Sequence, residues 1–499
     1  MIKKQGTLML SPYAELYDIV VPAGHFLRRL REDIDFSFIF DELACKYSPD
    51  MGRGAYDPVM MFKYLMLKVI SQLSDEDLME EARVNMAYKY FLGLEPEAMP
   101  ADPTTLCKFR RQRLKDTDLL DTLLRKTFEM AEDKGIMARD MKDGKIHVRA
   151  IIDGTHTVSY ASLYRPVPAL KDWSRKLRRQ LYECMPELKG SVANDRGISS
   201  TDLDGEIAYA RQLVEFTRGL GRVAELPRVK RVLNRFAELV DDILDHYTCS
   251  AADPDARVGH KTADTEFFGY KTQIVEDADT ELVLAASVTS GEVGDALPGK
   301  EAVEAVLAVD DLAVDELIGD TAYSGQPFLE QARDGHFELL APPHPNLGAS
   351  IDGRGGFTFN KDADRFVCPK GHLAVSKRTV TYKRDNNRKS HIYLFDENKC
   401  GVCPIRGECI KGKKAKARTF SVTALSPEQD DLLERSRTED FKQRRKERYK
   451  IEAKNAHLKR GLGYGRTMGK GIGMMELQAA VTLFVSNIKK IYAKMAKKD

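Results

Sequence analysis

KIHVRAIIDG, residues 145–154, is the stretch on which the fold turns. It alternates between apolar and polar residues and then becomes continuously apolar through Ala150, Ile151 and Ile152, the pattern of a strand buried on both faces. The strand is expected to end at Asp153. A second short apolar strand, Leu317–Ile318, runs into Asp320 within ELIGDTAYSG, residues 316–325. Carboxylates at the carboxyl ends of buried strands stand where open α/β sheets place ligands and metals. Most such residues have a plainer role, capping the next helix, and a single Asp320 does not by itself decide between the two.

Working outward, FGYKTQIVED (268–277) and ELVLAASVTS (281–290) read as a hairpin about a polar turn from Asp277 to Thr280. A helix from about Ala296 to Val309, the Asp320 strand, a helix in QPFLEQARDG (326–335) and a strand in FELLAPP (337–343) follow. The fold class is therefore α/β with a mixed sheet. Residues 1–140 form a helical amino-terminal domain, with helix starts at Asp57-Pro58, at Ser74 (one helix over 75–94) and at Asp102-Pro103. Short helices with tight connections fit either a helix-turn-helix, with Arg110, Arg111 and Arg113 against phosphates, or an ordinary bundle. The sheet region spans 145–345, interrupted by a helical insertion at about 163–250. A cysteine-rich insertion spans 346–420, and carboxyl-terminal helices occupy 421–499. Among these, Ser426-Pro427-Glu428 opens one long helix running to Gly461, and a glycine-rich connector, 461–473, leads to a final amphipathic helix. The connector lacks the Gly-Lys-Ser/Thr of a nucleotide-phosphate loop.

The 499 residues carry a net charge of only +2, but the charge is unevenly spread. Lys442 to Arg460 holds nine Lys or Arg against two Glu, and Lys411 to Arg418 holds five basic residues and no acid. Such blocks fit a polyanion if a site lies beside them. No apolar run approaches the roughly 18 residues of a membrane span, so a cytoplasmic protein is expected. Cys45, Cys107, Cys184 and Cys249 are scattered and expected to be buried. Cys368, Cys400, Cys403 and Cys409 are clustered, with His372 nearby. Four thiols on two short loops suit a structural zinc ion, which would order a region too polar to fold on its own core.

On the long helix, Arg448, Glu452 and Lys459 fall within about 40° of one another, and Arg445 and Asn455 share the face. Cations in such excess repel one another unless an anion joins them. Together, Asp153 in IIDGTHT, Asp320 in GDTAYSG and Glu452 in RYKIEAKNAHLK resemble the Asp-Asp-Glu triad of bacterial insertion-sequence transposases. Asp320, Ala322 and Tyr323, followed by Ser324, are similar to the family's second-aspartate motif. Arg448, Glu452 and Lys459 match its Tyr-x2-Arg-x3-Glu-x6-Lys signature, with Arg445 in place of the Tyr.

The resemblance implies a ribonuclease H-like core in which Asp153, Asp320 and Glu452 bind two Mg²⁺ (or Mn²⁺) ions, Asp153 bridging them. It implies that Arg448 and Lys459 grip phosphates; Arg445 and Lys454 on the same helix, and Arg110 and Arg111 if the amino-terminal helices are a helix-turn-helix, are further expected DNA contacts. Terminal inverted repeats and target DNA would be the partners of a homodimer located at the nucleoid. Asp295, Asp277, Asp264 and above all Glu447 are rival carboxylates for the metal site. Two other functions fit the same motifs: an inactive zinc-containing DNA-binding protein, and a two-metal nuclease that cuts without joining.

Overall fold

The computed structural model describes residues 11–47, 54–114, 117–161, 166–190, 192, 202–245, 250, 253–262, 264–344, 354–360, 362–382, 388–412 and 415–497. Helices fill the amino-terminal part: α1 (Leu16–Val20), α2 (Phe26–Asp33), α3 (Ser37–Ala44), α4 (Pro58–Ser71), α5 (Asp75–Val84), α6 (Met86–Leu92), α7 (Pro103–Gln112) and α8 (Leu119–Asp133). The expected starts are present. Asp57, Ser74 and Asp102 accept from the backbone N–H groups of Val59, Asp77 and Thr104, with proline in the first turn of α4 and α7. The helix expected over 75–94 is two helices. Asn85 leaves the helical conformation and its side chain caps α6 through Ala87 N and Tyr88 N, the competition that Asn offers a helix interior.

The sheet begins with β1 (Ile146–Val158), after which the insertion supplies α9 (Pro166–Cys184), α10 (Leu203–Gly219) and α11 (Pro227–Asp245). There follow β2 (Arg257–Thr262), β3 (Thr265–Asp277), β4 (Val283–Ser290), α12 (Ala296–Leu307), β5 (Leu312–Ile318), α13 (Gln326–Asp334) and β6 (Glu338–Leu340). β3 lies antiparallel to β1 on one edge and to β2 and β4 on the other, while β5 and then β6 extend the sheet in parallel beyond β1. The β3–β4 hairpin is as expected. β1, however, does not stop at Asp153. Its pairing with β3 continues to Val158 opposite Gly269, where a Cβ would lie only 2.0 Å from the Thr157 carbonyl, so glycine lets the two backbones stay together.

One hydrophobic core runs through the amino-terminal helices, both faces of the sheet and the last helix, while the insertion has a separate core around Leu177, Leu213 and Phe236. The cysteine-rich region contains β7 (Thr358–Asn360), β8 (Arg365–Val367), β9 (Ser376–Tyr382), β10 (Arg388–Leu394), α14 (Glu397–Gly401), α15 (Arg406–Cys409) and β11 (Thr419–Thr423), with β10 between β9 and β11. Contrary to expectation it does have a core: Phe357 stacks on Phe420 with centroids 4.4 Å apart, and Phe366, Tyr393 and Phe395 close around them.

The single long carboxyl-terminal helix expected from Ser426 to Gly461 is three: α16 (Pro427–Arg435), α17 (Glu439–Arg445) and α18 (Tyr449–Gly461), with a 3-10 turn at Lys446–Arg448. Thr438 breaks the first junction by accepting from Phe441 N as a new cap. Ionic ties fix the resulting angle, since Arg435 reaches Glu338 and Arg444 reaches both Glu316 and Glu338 at the sheet's parallel end. The final helix, α19 (Ile472–Met495), is buried along most of its length, and Phe484 meets Phe62 of α4. Among the described residues, no helix is long and apolar enough to cross a membrane.

Candidate active site

Sheet register brings the two aspartates together. Ile151 pairs with Ile318 across the parallel β1–β5 junction, and Asp153 and Asp320 each lie two residues further on. Side chains two apart on a strand share a face. Asp320 has the capping role its sequence allowed, since Oδ1 accepts from Ala322 N and caps the 3-10 turn Thr321–Tyr323, while Oδ2 lies 4.0 Å from Arg448 Nη2. Tyr323, buried, fills the space behind. Its ring lies so close that a Cβ on Gly319 would come within 2.9 Å of it, and its hydroxyl donates to Gln273 Oε1 at 2.7 Å. Burial, then the charges of Asp153 and Asp320, push the Tyr323 phenol well above its ordinary value, so it stays neutral.

Helix α18 lies along β1 and presents its polar stripe to it. Arg448 Nη2 donates to Asp153 Oδ1 at 2.9 Å and Nη1 to Glu452 Oε1 at 2.8 Å. One guanidinium thus touches or faces all three carboxylates. Asn455 Nδ2 takes Asp153 Oδ2 at 2.9 Å, and Lys459 Nζ meets His156 Nδ1 at 3.2 Å. Ile451 and Leu458, buried beside that stripe, anchor the helix in the main core. Burial raises the Asp153 carboxyl above its usual range; Arg448 opposes this, and Asp320 and Glu452 add to it. Burial, with Lys261 second, lowers the Lys459 ammonium to about 8, and burial with Lys459 and Lys261 lowers His156 to about 4. His156 and Lys261 escape the sequence reading because β1 had to extend past Asp153 for either to adjoin the site.

Glu447 lies apart from this group. Arg149 and Lys450 hold it at 2.7 and 2.6 Å, and although burial opposes its charge, those two bonds keep its pKa below the ordinary range. Asp295 accepts from Lys271 and Gln273, Asp277 caps its own turn through Thr280, and Asp264 is exposed. Two of the expected DNA contacts are spent inside the protein. Lys454 is buried and donates to the Glu281 carbonyl at 2.6 Å, and Arg110, also buried, clamps Asp75 with both terminal nitrogens. Arg113 donates to the Lys46 carbonyl and lies over Tyr47. Arg111 and Arg445 are exposed.

Cys368, Cys400, Cys403 and Cys409 line one small cavity together with His372. Cys368 N bonds the His372 carbonyl across a turn at Gly371 (φ 79°), and Arg406 and Arg418 brace the Cys400 and Cys409 carbonyls. Burial raises the Cys409 thiol, Arg418 opposes, and Cys400, Cys403 and Cys368 add to the rise. Cys45, expected to be buried, is exposed, and Cys107 and Cys184 are half-buried. Cys249 and, from the basic block, Lys413 and Lys414 lie outside the described residues. Among the described residues, no group of three or more His, Cys, Asp or Glu side chains is arranged to hold a metal ion. Around Asp153 the positive charge within the cluster is the Arg448 guanidinium.

Two family models match the chain. Residues 15–112, α1 to α7, match the transposase domain DUF772, and residues 367–492 match a transposase DDE domain. Both matched segments are similar to transposase domains. The resemblance to insertion-sequence DDE transposases is thereby supported from both ends of the sequence. The matched DDE domain contains Arg448, Glu452, Lys459 and all four clustered cysteines, while Asp153 and Asp320 precede it. Comparison with curated proteins and with solved structures finds no match.

Proposed function

We propose that the protein is the transposase of an insertion sequence, which binds the element's terminal inverted repeats, cleaves DNA at its ends and joins the freed 3′-OH to target DNA. The observation that carries this reading is the meeting of Asp153, Asp320 and Glu452 about one guanidinium, from three elements far apart in sequence. The strand arrangement, antiparallel β4-β3-β1 followed by parallel β5 and β6, supports a ribonuclease H-like core. We divide the chain as a helical DNA-binding or dimerisation part (1–140), a core (145–345, interrupted at about 163–250), a cysteine-rich insertion (346–420) and the core's carboxyl-terminal helices (421–499).

The proposed ligands Asp153, Asp320 and Glu452 offer only carboxylate oxygen, which suits Mg²⁺ or Mn²⁺. Two such ions held by Asp153, Asp320 and Glu452 would activate the attacking oxygen and stabilise the leaving oxygen of an in-line displacement at a phosphodiester. The chain's own residues supply the rest. Asn455 fixes the Asp153 carboxylate, buried Tyr323 with Gly319 fixes the Asp320 turn, and Arg448 and Lys459 bind phosphate oxygens on either side of Glu452. A Cys368, Cys400, Cys403 and Cys409 zinc site belongs to the same proposal, resting on four thiols around one cavity. So do a homodimer handling two ends and a cytoplasmic, nucleoid-associated location.

The test is incubation with a supercoiled plasmid carrying the DNA that flanks the protein's own coding sequence, with Mg²⁺ or with EDTA. Mg²⁺-dependent cleavage and strand-transfer products are expected. Cleavage without joined products would leave a nuclease, and binding without cleavage would leave a DNA-binding protein.

A further inference from the structure

The glycine-rich connector between α18 and α19 has no part in the chemistry described above, yet it is tied down at its start, middle and end. Its start is fixed to the end of β1: Thr157 Oγ1 donates to the Tyr464 carbonyl, Val158 N to the Gly465 carbonyl, and Thr467 N to the Val158 carbonyl. Its middle is fixed by Gln478, which donates to the Arg466 carbonyl and accepts from Met468 N. Its end is fixed by buried Asp253, which binds Gly471 N, Ser159 and Tyr270, and by Asp255, which accepts from Ile472 N. Gly463 and Gly471 take positive φ, 70° and 87°, conformations that side chains rarely adopt.

This rigid strip carries two exposed cations, Arg466 and Lys470. The Arg466 guanidinium lies 4.5 Å over the ring of Tyr160, itself 66% exposed, and lines a depression together with Lys459, in which the acids are Glu76 and Asp75, the latter already held by Lys68 and Arg110. Lys470 opens onto a cleft shared with Arg111 of α7 and Arg235 of α11, in which Asp255 is the acid, already engaged by Ile472 N. The cations therefore continue from Lys459 beside Asp153, along the connector, into the cleft between the amino-terminal helices and the insertion. A single phosphate would not need so long a track; a polymer with regularly spaced negative charge would. Backbone ties of this density also mean that ordering the loop costs nothing at the moment of binding.

We propose that the connector is a preformed phosphate-backbone track, on which the DNA leading away from the carboxylate cluster lies with Arg466 and Lys470 against its phosphates. This deepens the transposase reading and rests on it. The test is binding of a fluorescein-labelled duplex of random sequence, with EDTA present throughout, measured as affinity against salt concentration. Arg466→Ala/Lys470→Ala is expected to weaken binding about tenfold and to reduce the log–log salt slope by about two. Lys142→Ala/Lys145→Ala, which removes the same charge at the opposite end of β1, is expected to leave the slope unchanged, and Arg466→Lys/Lys470→Arg to preserve it. An unchanged slope in the alanine pair, or an equal loss in the Lys142/Lys145 control or in the charge-preserving pair, overturns the track. Absence of salt-dependent duplex binding by the unaltered protein overturns the transposase reading with it.

Discussion

Asn455 donates its amide N–H to Asp153 Oδ2 at 2.9 Å, leaving Oδ1 to Arg448, so both oxygens of the most enclosed carboxylate are aimed from α18 and the 3-10 turn that leads into it. The Asn455 carbonyl oxygen is buried and finds no hydrogen-bond partner among the described residues, so the side chain is committed to its donor role. Partners that orient a ligating carboxylate commonly carry 10–100-fold in activity, and about that loss of turnover is expected for Asn455→Ala. DNA affinity measured in EDTA should stay within about a factor of two, because Asn455 brings no charge to the phosphates. Equal losses in turnover and affinity would mean that the residue supports α18 rather than Asp153.

Glu452 and Glu447 are five residues apart and face different partners, which makes them a sharp comparison. Glu452 shares Arg448 with Asp153, whereas Glu447 is held by Arg149 of β1 and by Lys450 of α18. Glu452→Gln should cost about a hundredfold or more in Mg²⁺-dependent cleavage, the scale of about 3 kcal/mol of transition-state stabilisation. Glu447→Gln should leave cleavage nearly intact and lower stability by at most about 1 kcal/mol, since its ion pairs remain partly solvated. Cleavage assays beside thermal melts of both variants decide it; the opposite pattern would move the acidic ligand to Glu447.

The strands around both aspartates, the β3–β4 hairpin and the capped helices were legible because each depends on a local signal: an apolar run, a turn or a cap. Register carried the rest of the aspartate pairing, and it needed no more than Ile151 and Ile318 side by side. What the sequence concealed depends on distant partners. Nothing local distinguishes Lys454, sunk against the Glu281 carbonyl, from Lys459 on the same helix, and nothing in FRRQR marks Arg110 as spoken for by Asp75. The aromatic core of the cysteine-rich region was hidden for a similar reason: Phe357, Phe366, Tyr393 and Phe420 come from four separated segments of polar sequence.

Four thiols about one cavity invite a direct measurement. The purified protein is expected to carry roughly one zinc ion per chain, and Cys400→Ser/Cys403→Ser to lose it, because two of the four ligands go. The small core of Phe357, Phe366 and Phe420 should then be left without its clamp, lowering the melting temperature by several degrees and speeding proteolysis within 354–423. Full-length protein that binds no zinc by elemental analysis, with the double variant equally stable, would make these reduced cysteines of a self-sufficient aromatic core.

Lys459 gives the DNA reading a pH signature. Burial, with Lys261 beside it, lowers its ammonium to about 8, so unlike an exposed lysine it loses its charge within an accessible range. A phosphate grip requires the protonated form. Affinity for a labelled duplex should therefore be full below about pH 7 and fall as pH rises through 8 to 9, with DNA binding itself drawing the proton back and moving the midpoint upward. His156, lowered to about 4, is neutral throughout that window and contributes no competing slope. Lys459→Arg keeps the charge at all these pH values and should flatten the curve, while Lys459→Ala should flatten it at the weaker level. Anisotropy titrations at constant ionic strength check this, and a slope that persists in both variants would assign the titration to another group and remove Lys459 from the phosphate contacts.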